Sequence, residues 1–311
     1  SNLNCNILNG GMPMAKEQTN QFTSDEKVKN TILSPKLDVV FQILFGEVGS
    51  EEITKDLLST ILDEQINEID LNQNIVLRRR TLEDKMGVVD VLAKINNNEY
   101  CNIEMQIVDY KNSKKRTLYY WAKKYTQGIQ KGDDYKDLKR TICVLIADFE
   151  IKDLEELGFH SKWKIIEENE RKKVLTDDFE LHIIELTKIR KSKANGKDKK
   201  LLEWLSFLEN PESKEVTGYM EKNENMKKAK EKLNTLSADE ELRILAELRE
   251  KAIRDEKSLK EGYYKEGLAE GMKEGIAYNN KENAKKMKER GYTIEEIIEI
   301  TNLSKEEIEK L

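Results

Sequence analysis

The segment GVVDVLAKINNNEYCNIEMQ, residues 87–106, carries the pattern from which the rest of the chain can be placed. From Val88 to Ile95 it is apolar except at Asp90 and Lys94, the composition of a β-strand. Beyond it, Cys101, Ile103, Met105 and Ile107 alternate with Asn102, Glu104 and Gln106, so a strand here turns its polar residues to one face. Asn96-Asn97-Asn98 supplies a loop between the two, because asparagine tolerates the left-handed backbone that tight turns need. A hairpin closed by those three residues pairs Ile95 with Glu99. The same register predicts Asp90 directly opposite Glu104, with Cβ atoms about 4.5–5.5 Å apart.

Two facing carboxylates repel unless something neutralises them. A divalent cation does so, and an all-oxygen donor set with no nearby Cys or His cluster suits Mg²⁺ or Mn²⁺ better than zinc. Gln106 lies two residues beyond Glu104, on the same face, where it can position a water or a phosphate oxygen. The spacing alone is equally compatible with Asp90 and Glu104 as solvent-facing residues of an exposed sheet face.

On the N-terminal side, Ser34-Pro35 opens a predicted amphipathic helix with Val39, Val40, Ile43 and Leu44, closing near Gly46. A second helix runs from about Ser50 to Leu62, followed by a β-like run over Ile75–Arg80. On the C-terminal side, Lys114–Lys131 reads as a helix. Thr141–Ala147 is a near-continuous apolar strand of the kind buried on both faces. Leu181–Leu186 reads as another strand and Leu201–Leu208 as a helix stopped before Pro211. The order α-α-β-β-β-α-β predicts a mixed α/β domain over residues 31–210, after a polar tail over 1–30.

Past Pro211 the chain becomes rich in Lys, Glu, Ala and Leu and reads as helical. We divide it into a helical linker region over 211–258 and a Glu-Gly helix with a small helical module over 259–311. Ser237-Ala-Asp-Glu240 has the form of a capping box, as do Thr293…Glu296 and Ser304…Glu307, and Gly291 marks a helix stop. Gly267, Gly271 and Gly275 recur every four residues after Gly262. On one helix face they would let another backbone approach, which predicts self-association; a hinge or linker is the alternative.

Of the 311 residues, 54 are Lys or Arg and 60 are Asp or Glu, a formal net charge of −6 that is unevenly spread. Residues 111–140 hold ten Lys/Arg and three acids, a local +7 suited to a phosphate backbone. No apolar run approaches the ~20 residues of a membrane-spanning helix. The three scattered cysteines exclude a disulfide scaffold, and a cytoplasmic setting is expected. No Gly-rich phosphate loop is present, so no nucleotide cofactor is expected. His160 and His182 look too isolated for a triad or a metal pair, and Cys101 and Cys143 read as core.

The chain also resembles a known family, in Pro35-Lys-Leu-Asp38-Val-Val-Phe41…Leu44-Phe45-Gly46, Val89-Asp90-Val-Leu-Ala, Asn102-Ile-Glu104-Met-Gln106 and Arg116-Thr-Leu-Tyr119-Tyr120-Trp121-Ala-Lys. These segments, with the Thr141–Asp148 strand and the Glu-Gly tail, are similar to the Rpn family of recombination-promoting nucleases and transposases. That family lies within the PD-(D/E)XK nuclease superfamily, and the likeness covers roughly residues 32–311. It implies a restriction-endonuclease-like αβββαβ mixed sheet with an α-helical C-terminal extension, and Mg²⁺- or Mn²⁺-dependent hydrolysis of DNA in mobile-element recombination or defence. Asp90 and Glu104 would hold the metal, with Gln106 as the third catalytic residue and Asp38 as a supporting acid; an ordinary helix-N-terminal acid is the alternative for Asp38. The superfamily usually has lysine where this chain has Gln106, and a glutamine orients without adding charge. The family's first helix often has Phe-Lys where this chain has Phe41-Gln42.

Arg116, Tyr120, Lys123, Lys124 and Gln127 fall on one broad helical face, mixing phosphate donors with an aromatic ring, and are predicted to contact DNA. Leu118, Trp121, Ala122 and Tyr125 would pack the opposite face on the sheet. A nuclease-derived DNA-binding or assembly protein without catalysis is the competing expectation, drawn from Gln106, the net acidity and the Glu-Gly tail.

Overall fold

The computed structural model describes residues 31–71, 91–96, 98–109, 112–191 and 198–311. Pro35 ends an extended entry, and helix α1 (Asp38–Gly46) begins three residues later. Every residue of α1 from Val39 to Gly46 is buried, so the predicted helix is a core element, covered beyond the one apolar face that an amphipathic pattern implies. It is covered by the sheet on one side and by three helices on the others. Helix α2 (Glu51–Leu62) places Glu51 and Glu52 in its first turn, where acids suit the helix dipole, and stops at Asp63 in the left-handed conformation.

Six strands form one mixed sheet: β1 (Ile69–Asp70), β2 (Val91–Ile95), β3 (Glu99–Gln106), β4 (Thr141–Ala147), β5 (His160–Trp163) and β6 (Phe179–Glu185), in the order β1-β2-β3-β4-β6-β5. The hairpin β2–β3 has the expected register, from Ile95↔Glu99 to Val91↔Ile103. Asn96 and Asn98 both take positive φ in its loop. Between β3 and the parallel strand β4 lies helix α3 (Ser113–Thr126), the crossover that a parallel pair requires. It ends five residues before the predicted Lys131, with Gln127 as its C-cap and Gly128 following. Strand β4 pairs in parallel on both sides and is buried throughout, as its apolar run predicts.

Two strands escaped the sequence pattern. β1 has only two residues, and β5 reads His-Ser-Lys-Trp, an edge strand with no apolar alternation. The predicted strand Ile75–Arg80 lies outside the described residues.

The sheet is covered on both faces. One face, with Ile103, Ile142, Val144 and Ile184, packs against α1, α2 and the later helices α4 (Lys199–Glu209), α5 (Lys214–Met220) and α6 (Glu224–Ala238). This core continues past residue 210 to Ala246 on helix α7 (Glu240–Glu289). The other face, with Cys143, Leu145, Leu181 and Ile183, is joined by Trp121 of α3. Strand register places Asn102, Glu104 and Gln106 on this second face, beside Cys143, Leu145 and Ala147.

The predicted capping box at Ser237 does not form. Ser237 is the second-last residue of α6; its hydroxyl donates to the Leu233 carbonyl and accepts from the Leu33 amide. Asp239 caps α7 instead, accepting from the Leu242 amide. A distant partner, Leu33, thus outcompetes the local motif. Helix α7 is 50 residues long, roughly 75 Å, and runs unbroken through Gly262, Gly267, Gly271 and Gly275. The glycines do not interrupt it. Gly291, at φ +82°, ends the following turn. Helices α8 (Ile294–Thr301) and α9 (Lys305–Glu309) each carry the predicted capping box and fold back on α7 through Ala284, Ile297, Leu303 and Ile308.

Candidate active site

Strand alternation and the crossover helix together build the site. Glu104 and Gln106 emerge from the same face of β3 and are 4% and 5% exposed, deeper than polar residues of an open sheet face would be. Helix α3 lies over them because Thr117 and Trp121 face the sheet, and the Trp121 indole N–H donates to the Thr141 carbonyl at 2.8 Å. That placement brings Arg116 to Glu104: its Nη2 donates to Oε1 at 3.2 Å. Gln106 Nε2 donates to the same oxygen, while Gln106 Oε1 is buried and has no hydrogen-bond partner among the described residues. Burial pushes the Glu104 carboxyl above its ordinary pKa, and the Gln106 hydrogen bond and the Arg116 charge only partly offset this.

The predicted partner Asp90 lies outside the described residues. Its neighbour Val91 is in place, paired with Ile103, with Leu92 opposite Asn102. Among the described residues no group of three or more His, Cys, Asp or Glu could hold a metal. The chemistry of the donors nonetheless fits a hard cation: a buried carboxylate and an orphaned carboxamide oxygen are both oxygen ligands.

The predicted DNA-contacting residues divide. Arg116 turns inward to Glu104, and its guanidinium sits 5.6 Å from the centre of the Tyr120 ring. Lys123 and Gln127 are exposed further along the same helix, and Lys124 is half-buried. The opposite face is Thr117, Trp121 and Tyr125; Leu118 and Ala122, expected to pack on the sheet, are exposed. Tyr125 donates to Asp178 at 2.8 Å and stacks on Trp121.

Asp38 does not reach the Glu104 cluster through any described contact. It accepts from the Val39 amide and forms an ion pair with Arg249 of α7, joining the first helix to the long one. Lys36, two residues before it, is linked to strand β3 indirectly, through Asp148. Lys36 Nζ lies 2.9 Å from both Asp148 and Glu209, and the Asp148 amide donates to the Gln106 carbonyl at 2.8 Å. Burial opposes the Lys36 charge, but the two carboxylates more than compensate and raise its pKa.

The two histidines are not isolated. His160 Nε2 and His182 Nδ1 are 2.8 Å apart, and His182 Nε2 is 2.8 Å from Glu180 Oε1. Burial lowers both histidine pKa values, His160 to about 4, so both are neutral near pH 7. Neutral His182 then donates to Glu180 and accepts from His160. Burial alone would raise the fully buried Glu180, but bonds from His182, Lys162 and Arg140 hold it well below the carboxylate range. Pairing of β5 with β6 assembles this group, and β5 was the strand without a sequence signature. Cys101 and Cys143 are buried thiols that form no disulfide, in keeping with their reading as core; burial pushes the Cys101 thiol well up.

The model of the PD-(D/E)XK nuclease family transposases matches residues 35–262, nearly three quarters of the chain. The chain belongs to this family. No curated protein and no solved structure matches it. The matched span begins at Pro35 and ends at Gly262, so it takes in α1, the sheet, α3 and the first half of α7. As a PD-(D/E)XK nuclease-family protein, the chain has the mixed α/β fold its sequence predicted, and its kin generally use divalent metals. Among the described residues no helix is long and apolar enough to cross a membrane.

Proposed function

We propose that this protein is a Mg²⁺- or Mn²⁺-dependent DNA endonuclease that hydrolyses phosphodiester bonds, in mobile-element recombination or in defence, within the cytoplasm. One observation carries the reading: a buried Glu104 carboxylate and the partnerless Gln106 Oε1 lie side by side under a basic helix. Continuing the β2–β3 register by one residue would set Asp90 beside Glu104 as the second acid. Asp90, Glu104 and Gln106 Oε1 would then hold the cation, which when bound polarises the phosphoryl oxygen and acidifies a water. Gln106 orients that water, Arg116 and Lys123 offer charge to the phosphates, and Tyr120 offers a ring to stack on a base. Lys124 and Gln127 extend this surface along α3. Asp38 supports the site at a distance, by anchoring α1 to Arg249. We further propose that residues 31–210 are the nuclease-like unit, that 211–258 form a helical linker region packed on its core as far as Ala246, and that 259–311 are an assembly module through which the chain forms homo-oligomers.

The test is plasmid nicking by the full chain with Mg²⁺ or Mn²⁺, beside Asp90→Ala and Glu104→Ala. Nicking by wild type alone is the expected result. Equal nicking by all three, or none by wild type with either metal, overturns the reading. The ion pair of Glu104 with Arg116 favours one alternative, a non-cleaving DNA-binding protein, because it neutralises the carboxylate without a metal. Salt-dependent DNA binding that survives Asp90→Ala, with no cleavage, would mark that case.

A further inference from the structure

Gln106 carries no charge, so a cation must come from elsewhere if a phosphate is to be held during cleavage. Two described cations bear on this strand: Lys36 reaches it only through Asp148, whose amide donates to the Gln106 carbonyl, and Arg116 bonds Glu104 itself. Lys36 is held between Asp148 and Glu209 at 2.9 Å each, two carboxylates that already satisfy its charge. Arg116 is the other, and it donates to Glu104 Oε1. That oxygen takes both described donors, Gln106 Nε2 and Arg116 Nη2. An oxygen occupied by N–H donors does not offer the same lone pairs to a metal. A guanidinium stays charged at every working pH and repels a divalent ion a few ångströms away. Arg116 and a metal therefore exclude one another at this oxygen.

We propose that Arg116 is the exchangeable partner of Glu104: it neutralises the carboxylate while no cation is bound, and moves to the substrate phosphate when a divalent cation takes its place. The inference rests on the metal site described under the proposed function. The displaced guanidinium keeps a guide, since it already lies 5.6 Å from the Tyr120 ring centre, and a flat cation can slide over an aromatic face while remaining attracted to it. Its planar fork suits two phosphate oxygens at once, which a glutamine at position 106 cannot match. Binding of metal and binding of DNA would then be linked through one side chain.

Mn²⁺ titration of the full chain without DNA, followed by electron paramagnetic resonance at pH 8, tests the exchange. Arg116→Gln is expected to bind Mn²⁺ about tenfold tighter than wild type, having lost both competitor and like charge. With Mn²⁺ saturating, it should nick plasmid about a hundredfold more slowly, the scale of one lost transition-state donor. Arg116→Lys keeps the charge but not the fork. It should bind Mn²⁺ as wild type does and still cleave more slowly, and it decides the matter if Arg116→Gln does not fold. Unchanged or weaker Mn²⁺ binding by folded Arg116→Gln, or weaker binding by Arg116→Lys, overturns the exchange. Full cleavage by either variant overturns the phosphate role. Glu104→Gln separates the two levels: if it binds Mn²⁺ as tightly as wild type, the metal site itself is wrong. If it binds none while Arg116→Gln is unchanged, the site stands and only the exchange fails.

Discussion

Glu104→Gln should abolish cleavage and yet make the protein more stable. Glu104 is 4% exposed, and burial sets its carboxyl above the ordinary glutamate pKa despite the bonds from Gln106 and Arg116. A glutamate with a folded pKa above its unfolded one ionises more readily in the unfolded chain, so its ionisation favours unfolding. Below the unfolded value, about pH 4.3, both states are protonated and titration contributes nothing. As pH rises through the folded pKa, the penalty appears, and it persists at all higher pH. Glutamine has nearly the same shape and carries no charge to desolvate. It gives up the charge-assisted bond from Arg116, but that side chain is 22% exposed and can turn to water. The balance should favour Glu104→Gln by on the order of 1 kcal/mol at pH 8, the net scale of one buried hydrogen-bonding difference. In a chain of this size that is about 2 °C in Tm. The advantage should shrink to nothing near pH 4. Urea denaturation and thermal melts from pH 4 to 8 measure it, with plasmid nicking on the same samples. A variant less stable than wild type by more than about 1 kcal/mol at pH 8 would refute the reasoning. It would mean that the Glu104–Arg116 pair is a structural ion pair and that the buried carboxylate is not held at a cost for function.

Two further outcomes are expected. Arg140 joins Glu64, Glu99 and the fully buried Glu180 at 2.9–3.0 Å, so Arg140→Met should cost about 3 kcal/mol in urea unfolding by leaving buried charge undercompensated. Glu180 is held below its unfolded pKa, so its contribution is present above that value and lost as pH falls through the folded one; the difference from wild type should therefore narrow under acid. Truncation before Lys260 removes the exposed residues Tyr263, Tyr264, Leu268, Met272 and Ile276 of α7, and light scattering should show a smaller assembly than for the full chain. An unchanged mass would exclude this helix from self-association.

Local rules were legible where one segment settles its own conformation. The Asn96–Asn98 loop and the alternation after it determined the β2–β3 register, because a one-residue slip would turn Ile103 and Met105 out of the core. The apolar run Thr141–Ala147 determined a central strand, and the boxes at Thr293 and Ser304 and the stop at Gly291 determined the C-terminal caps. What segments do to one another was decided only in three dimensions. Arg116 read only as a residue of the DNA-facing helix; that the packing of Thr117 and Trp121 on the sheet also brings it to Glu104 has no local signal. Ser237 read as a cap until Leu33, 204 residues away, claimed its hydroxyl. His160 and His182 read as solitary because nothing in His-Ser-Lys-Trp marks an edge strand, and its pairing with β6 is what joins them to Glu180. Hydrophobic period and turn chemistry act over a few residues, whereas buried charge finds its partner wherever the folded chain brings one within reach.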